Sequence, residues 1–581
     1  MYKKSSILNY KWLLKKIDER KSLYISQKYG LSDFLSKIIC SIDIDEELIN
    51  EFLNPNLENQ IPNPFQIKDM NKSVSRAIKA IEEKQKIGIL ADYDVDGSTS
   101  AAILFKFFHY FNLDVSIKVP NRLSEGYGPN QRIMNDFIKE NINILFVLDC
   151  GTTSLNTLDQ NKYPNLDIVV IDHHISDNIL PNVFSLVNPN RYDDTSNLKN
   201  LAAVGVTYLF LIALRKELRN LNFFESTKEP NLLNFLDLVA LGTVCDVVSL
   251  IDINRIFVNK GLEVIIKRQS KSITSMLDNS NLNSKPNVTD LGYLIGPQIN
   301  AASRLGFSDL PHKLLISDDI NEIDNISKKL ILLNEKRKLI ENQIYEEALI
   351  QCKNFENFNF ILIYGDNWHC GVLGIIASRL LKQFFKPIII ISFQDNVGTG
   401  SARSIEFINL GNLILEAKNR NILISGGGHN LAAGLKIDKK NIPLFKDFLI
   451  ESLKKYDDLI FEKNLFLNDR ISLNQINYDL VLDLKKLQPF GNGNEEPIFV
   501  LYDIDIESFK IIKDKHILVF FKTISGKNLK GICFNSVNTI IEDYLKKYRN
   551  YKFEIAGTLH EDNYNSVPQV KIIIKDLMLL K

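Results

Sequence analysis

Ile87 to Ala91, Ile144 to Leu148 and Ile168 to Ile171 are short runs without a charged residue. With the more polar Val115 to Val119 they read as strands, separated by longer stretches such as Ser98 to Phe111 that read as helices. A strand that is apolar on both faces has to be covered on both, and helical crossovers are the economical cover. The expected fold is therefore α/β with a mostly parallel sheet. Leu232 to Val244 is apolar enough to be one more helix packed on that sheet. In such sheets ligands bind beyond the carboxyl ends of the strands, so functional residues are sought there.

With 581 residues the chain exceeds one core, and a prior of about 150 residues per domain predicts several. Residues 1–70 read as a Pro-punctuated lead-in and 71–270 as the catalytic domain. Residues 271–352 read as a connecting helical region, in which Ile326, Leu330, Leu333, Ile340 and Ile344 recur near helical spacing from about Asp318 to Cys352. Residues 353–460 form a second α/β unit, with strand Phe360 to Tyr364, helix Val372 to Phe384, strand Ile388 to Ile391 and a Gly-rich stretch from Ser425 to Gly434. Residues 461–581 hold turn-punctuated strands at Phe499 to Ile506, His516 to Phe521, Phe553 to Thr558 and Val570 to Ile574, the pattern of a small β-barrel or sandwich.

Composition mostly excludes. Six cysteines are scattered without a CxxC pair, which argues against a disulfide framework and a thiolate zinc site. Seventy basic and seventy acidic residues cancel, so any electropositive track has to be local. No apolar run reaches the roughly 18 residues of a membrane span, and the polar start lacks a secretory apolar region, so a cytoplasmic protein with no membrane partner is expected. No GxxxxGK[ST] run is present, so ATP-driven unwinding is not expected.

Asp92-Tyr93-Asp94-Val95-Asp96-Gly97 directly follows one predicted strand and precedes a helix. Like charges this close disfavour one another's ionisation unless a cation neutralises them. Taken alone the run also fits a solvated Asp-rich turn. An EF-hand does not fit, because Phe105 stands at the last loop position counted from Asp94. Recurrence decides between the remaining readings: Asp149 and the triplet Asp172-His173-His174 end the next strands, and Asp246 ends the apolar helix. Carboxylates with one or two imidazoles suit Mn²⁺ or Mg²⁺.

These motifs resemble the DHH phosphoesterase superfamily and, within it, the RecJ exonucleases. Similar blocks run from about residue 50 to 500. They include Pro62-Asn63-Pro64-Phe65, Arg122 with Glu125-Gly126-Tyr127-Gly128, Val187-Asn188-Pro189-Asn190, Leu201 to Val206, Gly296 to Leu305 and Trp368 to Arg379. The resemblance implies a parallel-sheet DHH domain, a long connecting helix, an α/β DHH-associated domain and a C-terminal OB-fold β-barrel. It implies that Asp94, Asp96, Asp149, His173, His174 and Asp246 ligate two divalent ions about 4 Å apart, with Asp92 a ligand or a partner behind the ligands. In the DHH-associated domain it implies phosphate-facing loops at Gly398 to Ser404 and at Gly426, Gly427, Gly428 and His429. Arg122, Arg304, Ser401 and Arg403 would then recognise a terminal 5′-phosphate. Ser303 and Ala402 stand where the family pattern has glycine.

The implied activity is single-stranded-DNA-specific 5′-to-3′ exonuclease action in DNA repair and recombination, releasing 5′-mononucleotides. Partners would be single-stranded DNA, a helicase and a single-stranded-DNA-binding protein, and a monomer is expected. In the C-terminal region Tyr502, Phe509, Phe520, Phe521 and Phe534 interleave with Lys510, Lys513, Lys515, Lys522, Lys527 and Lys530. This is equally the pattern of a barrel core with a solvated surface and of a strand-binding groove, and the resemblance favours the groove. Two other readings stand: a DHH oligoribonuclease, cyclic-dinucleotide phosphodiesterase or pyrophosphatase, and an inactive scaffold that binds nucleic acid.

Overall fold

The computed structural model describes residues 6–42, 44–522, 529–548, 551–562 and 569–580. The chain divides into two units, one of residues 55–455 with 491–493 and one of residues 1–54 with 456–490 and 494–581.

The first unit is built on five parallel strands, in spatial order Val115–Lys118, Ile87–Ala91, Ile144–Leu148, Asp167–Ile171 and Ser185–Val187. Every residue of Ile87–Ala91 and Ile144–Leu148 is buried, as two-sided cover requires. Alternate residues serve opposite faces. Leu145 and Val147 pack with Ile133, Met134 and Phe137 of helix Gln131–Lys139, while Ile144, Phe146 and Leu148 join Phe107, Phe108 and Phe210 on the other face. The strand order reverses between Ile87–Ala91 and Ile144–Leu148. Loops leaving two such strands run apart and open a crevice between them.

The helix expected at Ser98 to Phe111 spans Val95–His109, because Asp94 caps it by accepting the Gly97 N–H at 3.1 Å. Leu232 to Val244 opens as a 3₁₀ turn, Leu232–Phe235, before the α-helix Leu236–Cys245. The connecting helix, Ile320–Cys352, has 33 residues and at 1.5 Å per residue is about 50 Å long.

The sheet beyond it is mixed, ordered Ser425–Gly428, Ala432–Asp438, Val397–Arg403, Ile388–Gln394, Ile361–Asp366, with its last pair parallel. The expected loops at Gly398 to Ser404 and Gly426 to His429 are thus largely antiparallel strands. Glycine serves close packing here, since a Cβ at Gly428 would lie 2.3 Å from the Ala432 carbonyl oxygen.

In the second unit Phe499–Ile512, His516–Phe521, Leu529–Cys533, Gln569–Leu579 and Lys552–Asp562 pair in that order, and the last returns to the first to close a five-stranded barrel. Ile25, Leu35, Ile38 and Ile39 from the N-terminal helices share its core with Phe499, Leu501 and Phe553. Tyr10–Leu14 pairs in parallel with Lys463–Leu467. Phe521 is barrel core, whereas Tyr502 and Phe534 are exposed; Lys530 pairs with Asp562, and Lys527 lies outside the described residues. Among the described residues no helix is long and apolar enough to cross a membrane.

Candidate metal centre

Both edges of the crevice carry acid. Asp92, Asp94 and Asp96 leave Ile87–Ala91, and Asp149 leaves Ile144–Leu148. Asp96 lies in the first turn of its helix, and its carboxylate accepts the Ala203 and Val204 N–H groups at 2.6 and 2.8 Å, the free donors of helix Ala203–Asn220. Helix Leu236–Cys245 crosses this point closely: a Cβ on Gly242 would lie 2.4 Å from Thr99 Oγ1 and 3.2 Å from Asp96 Oδ1. That approach delivers Asp246, the C-cap, to the cluster. Asp149 has φ +60°, and the β-branched Val247 after Asp246 has φ +62°. Left-handed backbone at such residues costs about 1–3 kcal/mol each and persists where surrounding structure imposes it.

Asp172 works from behind. Its buried carboxylate accepts the Thr152 N–H and hydroxyl at 3.0 and 2.6 Å, the His173 and His174 N–H groups at 2.7 and 3.2 Å, and bonds His174 Nδ1 at 2.8 Å. His173 Nε2 then stands 3.3 Å from Asp149, 3.6 Å from Asp246 and 3.9 Å from Asp96. Three sets each bring their ligand atoms within 4.8 Å of one another: Asp149 with His173 and His174, Asp96 with His173 and Asp246, and Asp92 with Asp94 and Asp149.

The charges are unbalanced without a cation. Burial and then Asp94 push Asp96 up to about 7; burial with Asp96 and Asp94 pushes Asp246 up to about 9. Asp92 and Asp149 are held well above the carboxylate range, by burial first and then by neighbouring carboxylates. Burial and His174 lower His173 to about 4, leaving a neutral imidazole. His174, despite its burial, is held up at about 9 by the Asp172 hydrogen bond. The donors fit a divalent ion: Asp92 Oδ1 and His173 Nε2 are buried without a hydrogen-bond partner. Octahedral ligands about 2.1 Å from an ion lie about 3 Å apart, close to the His173 to Asp149 spacing.

A second cluster is basic. Arg304 Nη1 donates to the Gly371 carbonyl at 3.0 Å, and Arg403 Nη1 to that of Ala402 at 2.8 Å and to Ser401 Oγ at 3.5 Å. Burial and then Arg122 lower Arg304 to about 9, with Arg403 adding to the repulsion; the same two causes lower Arg403. Among the described residues no carboxylate pairs with Arg122, Arg304 or Arg403. Helix Cys370–Phe384 starts beside them, where a Cβ on Gly374 would lie 3.1 Å from both Arg403 Nη2 and Ser401 Oγ. Gly427, Gly428 and His429 are exposed, and no described hydrogen bond or ion pair joins them to these arginines. Ser303 is buried with its hydroxyl donating to the Asn300 carbonyl at 3.2 Å, so its side chain is accommodated.

Four residues in the site's support carry no charge to flag them in sequence. Asn188 Nδ2 donates to Thr152 Oγ1 and the His174 carbonyl, both at 2.9 Å, and Asn190 Nδ2 donates to the His173 carbonyl at 2.6 Å. Tyr127 donates to the Asp149 carbonyl at 2.9 Å. The blocks around Asn188 and Tyr127 were the available signal, without a role attached.

Comparison with known proteins covers the same segments. Residues 86–243 match the DHH family N-terminal domain, 357–455 the DHHA1 domain and 468–576 the RecJ OB domain. The single-stranded-DNA-specific exonuclease RecJ of Haemophilus influenzae is 31% identical over 516 residues, spanning 85% of this chain and 88% of that protein. The Escherichia coli protein of the same name is 30% identical over 485 residues, 81% of this chain and 84% of that one. The crystal structure of RecJ in complex with Mn²⁺ from Thermus thermophilus superposes with a TM-score of 0.82 at 23% identity, covering 99% of this chain and 80% of that one. An exonuclease RecJ bound to manganese gives 0.59 at 28% identity, over 68% of this chain and 97% of that one.

Proposed function

Because the chain belongs to the RecJ exonuclease family, we infer that it is a single-stranded-DNA-specific exonuclease that hydrolyses phosphodiester bonds with bound Mn²⁺ or Mg²⁺. The observation that carries this reading is His173 Nε2, buried and unbonded within 3.3–3.9 Å of three carboxylates from three chain segments.

In this reading Asp94, Asp96, Asp149, His173, His174 and Asp246 hold two ions, with Asp92 a further ligand. When bound, the ions supply Lewis acidity, activating a water and neutralising charge on the departing 3′-oxygen. The chain's own part is to fix the donors before DNA arrives. Asp172 bonds His174 Nδ1 at 2.8 Å and Tyr127 Oη lies 3.3 Å from both ring nitrogens, so these two side chains orient the imidazole. The helix Ala203–Asn220 holds the Asp96 carboxylate by two amides. Arg122, Arg304, Ser401 and Arg403 take the terminal 5′-phosphate, and Gly427, Gly428 and His429 flank the strand beyond it. Guanidinium forks without a carboxylate partner support that role, since they match phosphate geometry. A chain end seated there puts a bond near the 5′ terminus at the metals, which gives 5′-to-3′ polarity and 5′-mononucleotide products.

The barrel holds the following single strand. A helicase and a single-stranded-DNA-binding protein supply and present it, and the enzyme acts in DNA repair and recombination as a cytoplasmic monomer. The test is a 5′-phosphorylated single-stranded oligonucleotide labelled at either end, digested with Mn²⁺. The 5′ label leaves first, as a mononucleotide. Cleavage confined to short oligomers favours another DHH phosphodiesterase instead, and tight binding without hydrolysis favours a scaffold.

A further inference from the structure

Tyr93 is the one non-acidic residue among Asp92, Tyr93 and Asp94, and neither metal coordination nor a side-chain hydrogen bond among the described residues accounts for its ring. Its side chain is 8% exposed, and the Arg122 guanidinium carbon sits 4.8 Å from its ring centroid. The turn that carries two candidate metal ligands therefore also carries the ring on which an arginine of the second cluster rests.

We propose that Tyr93 is a specificity-determining positioning residue: its ring carries the Arg122 guanidinium and so fixes the terminal-phosphate site at a set distance from the metal centre. This rests on the reading that the arginine cluster takes that phosphate. A guanidinium can be immobilised by a carboxylate or by an aromatic face. A carboxylate occupies the in-plane N–H fork and places negative charge beside an incoming anion. A ring contacts the face, leaves the in-plane donors free and adds no net charge. The Arg122 guanidinium carbon lies over the Tyr93 ring, with no carboxylate in pairing distance among the described residues. Its backbone is pinned separately, by the N–H donating to Ser308 Oγ at 3.3 Å, so the ring contact governs the side chain. Asp92 and Asp94 are covalent neighbours of Tyr93, and their turn has no slack, since a Cβ at Gly97 would fall 2.4 Å from the Asp92 carbonyl oxygen. Metal centre and phosphate site thus share one rigid turn, and the span between them selects which bond from the 5′ end is cut.

The experiment measures kcat/KM for one single-stranded oligonucleotide bearing a 5′-phosphate or a 5′-hydroxyl, in the whole protein, with Mn²⁺ affinity by calorimetry as a second readout. Wild type prefers the phosphate. Tyr93→Leu lowers the phosphate-to-hydroxyl ratio by about 2- to 30-fold, the range of one cation–π contact, through KM more than kcat and with wild-type Mn²⁺ affinity. Tyr93→Phe keeps the ratio within about twofold, because the face remains. A Leu variant with the wild-type ratio overturns the proposal, as does a Phe variant that loses as much as Leu. A ratio that falls together with Mn²⁺ affinity also overturns it and makes Tyr93 a support for the carboxylates. If wild type itself does not discriminate, the phosphate-site reading fails at its base; discrimination in wild type with no effect of Leu sinks the Tyr93 role alone.

Discussion

The acidic cluster is gripped from behind by hydrogen-bond donors: two helix amides on Asp96, the Gly97 amide on Asp94, and four donors besides the His174 imidazole on Asp172. The arginine cluster is held by carbonyls of Gly371 and Ala402 and by the face of Tyr93. Each cluster is stabilised by groups of complementary polarity on its protein side and keeps like charges unpaired on its open side. The acids are buried and crowded, so an ion is needed to balance them. The guanidiniums lose charge far less readily, and among the described residues no carboxylate pairs with them. Loss of a donor should therefore be close to all-or-none in the first cluster and graded in the second.

The sharpest way to break that contrast is His173→Ala, which removes the donor shared by two of the ligand sets. Metal-dependent nuclease activity falls by about 10³-fold or more while circular dichroism stays native; activity within tenfold of wild type refutes the assignment. Asn188→Ala leaves every ligand in place but deletes the bridge to Thr152 and the His174 carbonyl. Loss of such outer support weakens metal affinity by about 10- to 100-fold, read as a Mn²⁺ titration, and wild-type affinity would show that Asp172 needs no buttress. Arg403→Lys keeps the charge and loses the fork, and the preference for a 5′-phosphate falls by about tenfold. If Lys is as good, the cluster is a diffuse positive field, and the two clusters do not differ in their need for directed donors.

What was legible in the sequence follows from how local each signal is. Ile87–Ala91 and Ile144–Leu148 are read from composition because both faces are buried, and the crowded carboxylates are read because three share six residues. The glycine-rich segments mislead: with no side chains they carry no alternating pattern, and Val397–Arg403 and Ser425–Gly428 look like loops although they are strands. The parallel pair Tyr10–Leu14 with Lys463–Leu467 was out of reach, because nothing in either run names a partner so far along the chain. The shared core also means that deleting residues 465–581 would expose Ile25, Leu35 and Ile39, so strand binding by the barrel is better tested at exposed Tyr502 and Phe534. Asn188 and Thr152 went unassigned because neutral hydrogen-bonders pose no electrostatic problem that a sequence reader must solve.

The smallest expected effect tests the acidic cluster without any substrate. Asp96 and Asp246 titrate near 7 and 9 in the folded chain, against about 3.9 for an exposed aspartate. Between those limits the folded state binds more protons than the unfolded state, so stability conferred by the protonated carboxyls is present below about pH 4 and is lost as pH rises through 7 to 9. The metal-free protein, held in chelator, should therefore melt several degrees lower at pH 9 than at pH 6. Asp246→Asn, neutral at either pH, should narrow that gap and raise Tm at pH 9, although it removes a ligand. Saturating Mn²⁺ should close most of the gap in wild type by binding the folded state alone. A metal-free Tm that is flat between pH 6 and 9 would mean that solvent or a neighbouring cation already balances these carboxylates. The need for an ion, on which the difference between the two clusters depends, would then have to come from the reaction and not from the fold.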